Sequence, residues 1–404
     1  MALIKPFAAL RPQPQLAEQI CELPYDVTST EEARALAAGN PLSFLHVSKP
    51  EIDLAPGVDV HSAQVYARGR ENLDRLIRQG ALRQDAHPCF YLYRQTLGRH
   101  EQVGLAAAAS CEDYLRGVIK KHELTRPEQE EDRVRHIEAL GWQTGPVFLV
   151  YRSNRLMDEL TAKHAALAPD TDFTARDGIR HSSWTLRDGE DIALVRRTFE
   201  NIPSLYIADG HHRCAAAARV FQARQGAGGS AFFLSVIFPD NQLRILPYNR
   251  VLKDLNGLSA AQLLKKLETI FAVMDGGPAQ PCGKHEVALF LEHRWRALRF
   301  RPELCAVKDP MGGLDVALLQ KHVLSPIFGI DDPRTSERVS FVGGIRGTEE
   351  LEKRVESGEY ACAFSLFPPS MADLMSIADA GGIMPPKSTW FEPKLRDAMF
   401  CHKI

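Results

Sequence analysis

The chain has 404 residues, 45% hydrophobic and 25% charged, with 49 Lys and Arg against 51 Asp and Glu and a formal net charge of -2. That balance excludes wholesale disorder, and so neutral a chain lacks the basic excess on which general nucleic-acid binding depends. No run approaches the ~18 apolar residues of a membrane helix, and the eight cysteines stand singly without a Cys-x-x-Cys pair, so no membrane partner, reduced thiols and a cytoplasmic location are expected.

The opening residues are broken by Lys5-Pro6 and hold no long apolar run, so no secretory signal is expected. The first fifty residues read as irregular apart from a helix over 33–38, capped by Ser29 and stopped by Gly39-Asn40-Pro41. Residues 62–80 predict an amphipathic helix: Val65, Leu73 and Ile77 recur at helical spacing and Gly80 ends it. Two strand-like runs, 89–95 and 103–109, join through Gly98 as a hairpin. After the most charged stretch, 112–142, come a buried strand at 145–151, a mixture of helix and polar strands over 159–190, and a helix at 192–199. An apolar strand at 204–208 then runs through Asp209-Gly210 into an Ala-rich helix at 211–225. Strands at 231–238 and 243–253 follow, with a helix at 259–271 and strands at 286–291 and 296–301. A helix at 314–328, a strand at 338–342, a helix at 347–357, a strand at 360–367 and a helix at 370–380 complete the pattern. Strands and helices alternate without a strict parallel rhythm, which predicts an α+β fold with mixed sheets and flanking helices. The length suits two or three domains, and the expected division is 1–110, 111–255 and 256–404.

The sharpest local feature is Asp209-Gly210-His211-His212-Arg213, where an apolar strand ends and a helix begins at once. The first N–H groups of a helix lack internal partners and carry partial positive charge, which favours an anion there. Gly210 lets a phosphate approach the backbone, and Arg213 can grip phosphate oxygens bidentately without losing its charge. His211 or His212 can move a proton near neutrality, so both are candidate catalytic groups beside Asp209. The competing reading is a structural strand–turn–helix whose histidines only cap or pack.

Residues 122–136 hold a second charged cluster. Glu123 can act as a general base or, with Asp132 and Asp209, hold Mg²⁺, because hard cations prefer carboxylate oxygens. Arg126 and Arg133 can meet phosphates; the alternative is a solvated helix face of ion pairs. Near the C-terminus, Lys387-Ser388-Thr389 lies between Pro385-Pro386 and Trp390-Phe391, in a stretch too rich in Gly and Pro for a helix. This reads as a phosphate or substrate loop, or as a strap that docks Trp390 and Phe391, or as both. Tyr25, Asp26, Asn249 and Arg250 are weaker substrate-binding candidates. Gly283-Lys284-His285 is not a Walker loop, and a dinucleotide fingerprint, a hydrolase elbow and zinc spacing are all missing.

The strand–Asp-Gly-His-His-Arg–helix turn resembles the phosphate-binding loop of the ParB/sulfiredoxin superfamily, including its free-serine kinases, in which the loop contacts nucleotide phosphates. Where sulfiredoxin has its catalytic Cys, this chain has His211, and Cys214 lies beyond the Arg, so sulfinic-acid reduction is not expected. The helix-turn-helix and basic surface of the DNA-partitioning members are not found. A longer resemblance rests on Lys5-Pro6-Phe7, Leu23-Pro24-Tyr25-Asp26-Val27, the run Asn40–Val47, the Asp209–Arg213 turn, Pro247-Tyr248-Asn249-Arg250 and the run Met384–Arg396. Over nearly its whole length the chain resembles the domain of unknown function 1015 family. The segment 122–136 follows that pattern too, with Gln129 where the resemblance leads one to expect Lys. The resemblance implies a ParB/sulfiredoxin-like core over 111–255.

These readings converge on a nucleotide-dependent phosphotransferase acting on a small hydroxylated metabolite, with free serine as the first choice. ATP or ADP phosphates would lie on 210–213, Mg²⁺ would bridge them to the carboxylates, and one carboxylate or His would take the proton of the attacking hydroxyl. The alternatives are a phosphatase that uses water on a small phosphoester, and a non-catalytic, nucleotide-binding regulatory protein. A homodimer is compatible with the sequence, which marks no interface.

Overall fold

A computed structural model describes residues 1–307 and 309–404. The chain is a mixed α+β protein of two compact units, one made of Met1–Leu243 with Pro393–Ile404, the other of Arg244–Glu392.

The first unit is built on a nine-stranded mixed sheet. In chain order its strands are β1 (Ile4–Lys5), β2 (Phe90–Leu97), β3 (His100–Ser110), β4 (Ile119–Lys120), β5 (Val147–Tyr151), β6 (Thr171–Thr174), β7 (Arg180–Leu186), β8 (Leu205–Asp209) and β9 (Phe232–Pro239). Across the sheet they lie in the order β4-β8-β5-β9-β3-β2-β7-β6, with β1 paired to β3. The β4/β8 and β5/β9 pairs are parallel and the other ladders antiparallel. The expected boundary at residue 110 would cut this sheet between β3 and β9, with β1, β2 and β3 on one side, although β3 pairs with both β2 and β9 in one continuous ladder.

Four helices of this unit bear on the site or its approach: α1 (Thr30–Ala37), α2 (Ala63–Arg78), α3 (Pro127–Leu140) and α4 (His211–Arg224). Ser29 and Glu32 close a capping box on α1, with Ser29 as the N-cap expected from the sequence. Pro127 sits at the first position of α3, where its missing N–H costs nothing. α4 is small-residue-rich because it is buried on two sides. Cys214, Ala215, Ala217 and Ala218 pack on the sheet core, while Ala216 and Val220 meet Ile137 of α3. The C-terminal residues His402–Lys403 pair with Trp142–Gln143 and so belong to this unit.

The second unit carries a six-stranded, wholly antiparallel sheet of β10 (Tyr248–Leu252), β11 (Phe271–Asp275), β12 (Glu286–Leu291), β13 (Arg294–Phe300), β14 (Val339–Gly343) and β15 (Cys362–Leu366). Their order is β11-β13-β12-β15-β10-β14. Its helices include α5 (Ala260–Leu267), α6 (Glu349–Glu356) and α7 (Met371–Asp379), and α5 and α7 open with capping boxes at Ser259 and Ser370.

Three predicted elements differ. The helix expected over 259–271 stops at Leu267, and Phe271–Asp275 is instead strand β11, paired with β13. The strand expected over 243–253 splits around Pro247, which has no N–H to give a ladder. The helix expected over 314–328 is a short α-helix, Asp315–Leu319, followed by a wider π turn through Leu324. Among the described residues no helix is long and apolar enough to cross a membrane.

Gly104, inside β3, faces β9 so closely that an added Cβ would lie 2.7 Å from Val236 Cγ1 and 2.8 Å from Phe238 Cζ. Gly104→Ala should therefore cost about 1–3 kcal/mol through overpacking. A urea midpoint that falls at unchanged slope would bear this out, and an unchanged midpoint would contradict it.

Candidate functional site

Strand β8 is apolar and buried until it reaches Asp209, which ends it at the sheet edge of α4. Gly210 then takes a left-handed conformation, φ 93° and ψ 31°, and α4 starts with no side-chain cap. Two demands make this position glycine. Its φ is one that other residues rarely adopt, and an added Cβ would lie 3.2 Å from Arg213 Nε and 3.5 Å from the Val147 Cα. The first intrahelical bond is Cys214 N–H to Gly210 C=O, 3.0 Å, so the N–H groups of His211, His212 and Arg213 have no partner within the helix.

Arg213 is nearly buried, 9% exposed. Its Nη1 donates to the Pro146 carbonyl, and its Nη2 lies 3.9 Å from Asp26 Oδ2 and 3.8 Å from Asp209 Oδ2. Its Nε, beside Gly210, is buried without a hydrogen-bond partner. Burial alone would lower its pKa, but Asp26, Asp209 and Asp397 outweigh that and raise it. Asp209 Oδ1 accepts the Gly210 N–H at 2.9 Å and Oδ2 accepts Lys394 Nζ at 3.1 Å. Burial works to raise the Asp209 carboxyl, yet Lys394 and Arg213 together hold it well below the usual carboxylate range.

The two histidines do structural work. His211 Nε2 accepts the His122 N–H at 3.4 Å, and His212 Nε2 accepts the Arg126 N–H at 3.1 Å. Both rings thereby fasten the 121–126 loop onto the start of α4. Burial holds both below their ordinary pKa, so both are neutral at pH 7. His122 packs edge-to-face on His211, ring centres 4.5 Å apart, and burial pushes it down to about 4. His122, Glu123 and His211 place a ligand atom each within 4.8 Å of one another, and Glu123 Oε2 lies 3.8 Å from His211 Nδ1.

The other predicted residues of this unit converge around the same turn. Arg133, stacked 3.7 Å from the Tyr25 ring centre, bonds Asp132 Oδ2 through Nε at 2.9 Å. Asp132 also accepts from the Tyr66 hydroxyl at 2.8 Å and faces His61 Nδ1 at 3.1 Å. The oxygens of Asp132 and Asp209 are thus already engaged by donors, which counts against both as metal ligands. Glu123, its side chain 56% exposed, is the better-placed carboxylate. Arg126 is exposed and supplies its backbone N–H to His212.

Asn249, Arg250, Lys387, Ser388 and Thr389 belong to the second unit. Asn249 Oδ1 accepts the Leu366 N–H at 3.0 Å, which ties β10 to β15. Arg250 is fully buried, donates to the carbonyls of Tyr248 at 2.7 Å and Pro386 at 3.3 Å, and lies 4.5 Å from the Phe341 ring centre. Burial lowers its pKa to about 9. Ser388 Oγ donates to the Pro385 carbonyl, and Lys387 Nζ lies 5.5 Å from the Tyr248 ring centre. Trp390–Phe391 pairs with Ile245–Leu246, and Trp390 meets Tyr248 edge-to-face. Asn249, Arg250 and Ser388 therefore do structural work inside this unit, as the strap reading expects of the loop.

Lys394, Arg396 and Asp397 escaped the sequence reading as site residues. Arg396 bonds Asp177 and, through Nε at 3.1 Å, His181 Nε2, whose Nδ1 meets the Tyr93 hydroxyl at 2.7 Å. Asp397 is buried with Tyr25, Arg133, Gly145 and Arg213 around one small cavity, and its Oδ1 has no hydrogen-bond partner. The eight cysteines are free thiols, and burial raises Cys214 well above its ordinary pKa, which leaves it protonated and unreactive.

A family described as "Protein of unknown function (DUF1015)" matches residues 4–317. Among solved structures, a conserved hypothetical protein from Pyrococcus furiosus is 16% identical, with 73% of this chain and 93% of that one covered and a TM-score of 0.34. A free serine kinase in complex with AMP is 16% identical, with 71% and 86% covered and a TM-score of 0.35. A C-terminally truncated SbnI from Staphylococcus aureus is 10% identical, with 72% and 85% covered and a TM-score of 0.38. No curated protein matches the chain.

Burial lifts the Asp397 carboxyl to about 7, against the nearby Arg213, while an unfolded Asp titrates near ~4. The folded state therefore holds this proton more tightly. Its contribution to stability is full below pH ~4 and is lost as the pH rises through about 7. Asp397→Asn should gain melting temperature on the parent progressively across that window and level off above it. A difference that does not vary with pH would contradict the assignment.

Proposed function

The chain belongs to the DUF1015 family, and we propose that it is a nucleotide-dependent phosphotransferase acting on a small hydroxylated metabolite. The observation that carries the reading is the start of α4: an uncapped helix N-terminus behind a left-handed Gly210, with the unpartnered Nε of a buried Arg213 beside it. Three free N–H groups and a permanent cation at one point are what a phosphate group requires. The choice of free serine as acceptor, and of ATP or ADP as donor, follows the resemblance of the Asp209–Arg213 turn to the free-serine kinases.

In this reading the nucleotide phosphates lie on the N–H groups of residues 211–213, with Arg213 on their oxygens. The exposed Glu123 carboxylate is the residue that would hold Mg²⁺. The ion would neutralise charge on the phosphates. Asp209 is too acidic to serve as base, and Asp397 is buried. Asp26, its side chain 41% exposed and next to Arg213, takes the proton as the substrate hydroxyl oxygen attacks the terminal phosphorus. The bond from that phosphorus to the bridging oxygen breaks as the new P–O bond forms, and the shortened nucleotide leaves on the helix N-terminus. His211 and His212, neutral and bonded to backbone N–H groups, keep the loop of Glu123 in place and do not shuttle the proton.

Arg213→Ala should abolish ADP and ATP binding in calorimetry. The test also needs a cooperative melt, since removing one partner from a buried charge group costs stability. Asp26→Asn should lower turnover by about 10²-fold or more while nucleotide binding stays within a few fold. Phosphate transfer is read with serine and related hydroxylated metabolites as acceptors. Retained nucleotide affinity in Arg213→Ala would remove the site. Turnover in Asp26→Asn equal to the parent's would remove the base.

A further inference from the structure

The second unit contains a cavity of about 190 Å³ that the phosphotransferase reading does not use. Its apolar walls come from Pro247, Leu314, Val316, Leu366 and Phe367. Into this lining project a buried carboxylate, Asp315, and a lysine, Lys284.

The two charged groups differ in how they are satisfied. Lys284 Nζ pairs with Asp373 Oδ1 at 2.9 Å, so its charge is balanced within the wall. Asp315, 6% exposed, accepts the His285 backbone N–H, at 2.9 and 3.0 Å to its two oxygens, and no other hydrogen bond among the described residues. Among the described residues the one basic group within ion-pair distance is the His285 ring, with Nδ1 3.2 Å from Oδ1. Burial holds that ring below its ordinary pKa, so it offers no charge at neutral pH. The same burial raises the Asp315 carboxyl to about 7, and the His285 N–H and the more distant Lys284 offset it only in part. His285 itself is held at φ 70°, a conformation that costs a non-glycine residue energy and here aims its N–H at Asp315.

We propose that the cavity is a binding site for a small organic amine, whose ammonium group pairs with Asp315 and whose apolar body lies against Leu314, Val316, Leu366 and Phe367. An ammonium supplies the cation and the donors that the carboxylate lacks. An engineered cavity of about 150 Å³ takes up benzene, so this volume holds a ring of that size with its amine substituent. The site is separate from the Asp209–Arg213 turn, and its occupant is a ligand of the second unit.

The probe is benzylamine, with benzyl alcohol as its uncharged counterpart, titrated into the full chain by calorimetry and followed by thermal shift. Benzylamine should bind about ten-fold or more tightly than benzyl alcohol, the discrimination of one charge-assisted hydrogen bond. Asp315→Asn should erase that preference, and Val316→Phe, which fills the cavity, should abolish binding of both. Should Asp315→Asn fail to melt cooperatively, the Val316→Phe result decides. Arg213→Ala should leave benzylamine binding unchanged, which separates failure here from failure of the phosphate site. Equal binding of the two probes, no binding at millimolar benzylamine, or unchanged binding in Val316→Phe would overturn the proposal.

Discussion

A guanidinium cannot shed its charge, so burying Arg213 obliges the surrounding chain to supply carboxylates and a carbonyl at fixed places. Asp26 comes from the N-terminal segment, Asp209 from the end of β8, Asp397 from the C-terminal segment and the Pro146 carbonyl from the approach to β5. Two of the carboxylates have further partners of opposite charge. Lys394 sits on Asp209, and Arg133 and Arg396 act on Asp397. The first unit thus gathers charges from distant segments around one turn, and among its described residues Arg213 Nε is a buried donor left without a partner. An orphaned buried donor costs about 1–3 kcal/mol, and a protein that carries one beside an uncapped helix N-terminus has reason to do so in binding an anion.

The histidines of the turn draw attention because imidazole titrates near neutrality. Their surroundings assign them different work. Each ring nitrogen that faces the 121–126 loop accepts a backbone N–H, and burial keeps the rings neutral. A ring that is a committed acceptor holds a loop, and this loop carries Glu123 and Arg126. Charge at the turn is therefore set by arginine, lysine and carboxylates, with Asp209 held well below the usual carboxylate range and Asp397 raised to about 7.

The α+β class with mixed sheets, the strand into Asp209, the helix behind it and most element positions were legible, because buried apolar runs bounded by Gly, Pro or capping residues leave local signals. Strand β11 was less so: the expected helix ran on to Phe271, its first residue, because an apolar stretch directly after a helix gives no local sign of a strand until a partner, here β13, claims it. The location of the turn was legible because strand, glycine and helix are contiguous. Its completion was not. Lys394 meets Asp209 across 185 positions of sequence, and nothing in local spacing announces such a pair. Asn249 and Arg250 look like binding groups from their type alone, whereas the second unit uses them to tie strand to strand and strand to loop.

The second unit interrupts the first in sequence: residues 244–392 lie between the body of the first unit and the segment that returns to it. A chain growing on the ribosome has therefore made the Asp209–Arg213 turn, Asp26 and Glu123 long before it makes Lys394 and Asp397. During that interval Asp209 lacks its lysine and the strand Trp142–Gln143 lacks its partner at His402–Lys403. The charge set of the first unit closes only after the whole second unit has been synthesised. A nascent chain that stalls inside the second unit carries the turn with Arg213 beside Asp209 but without Lys394.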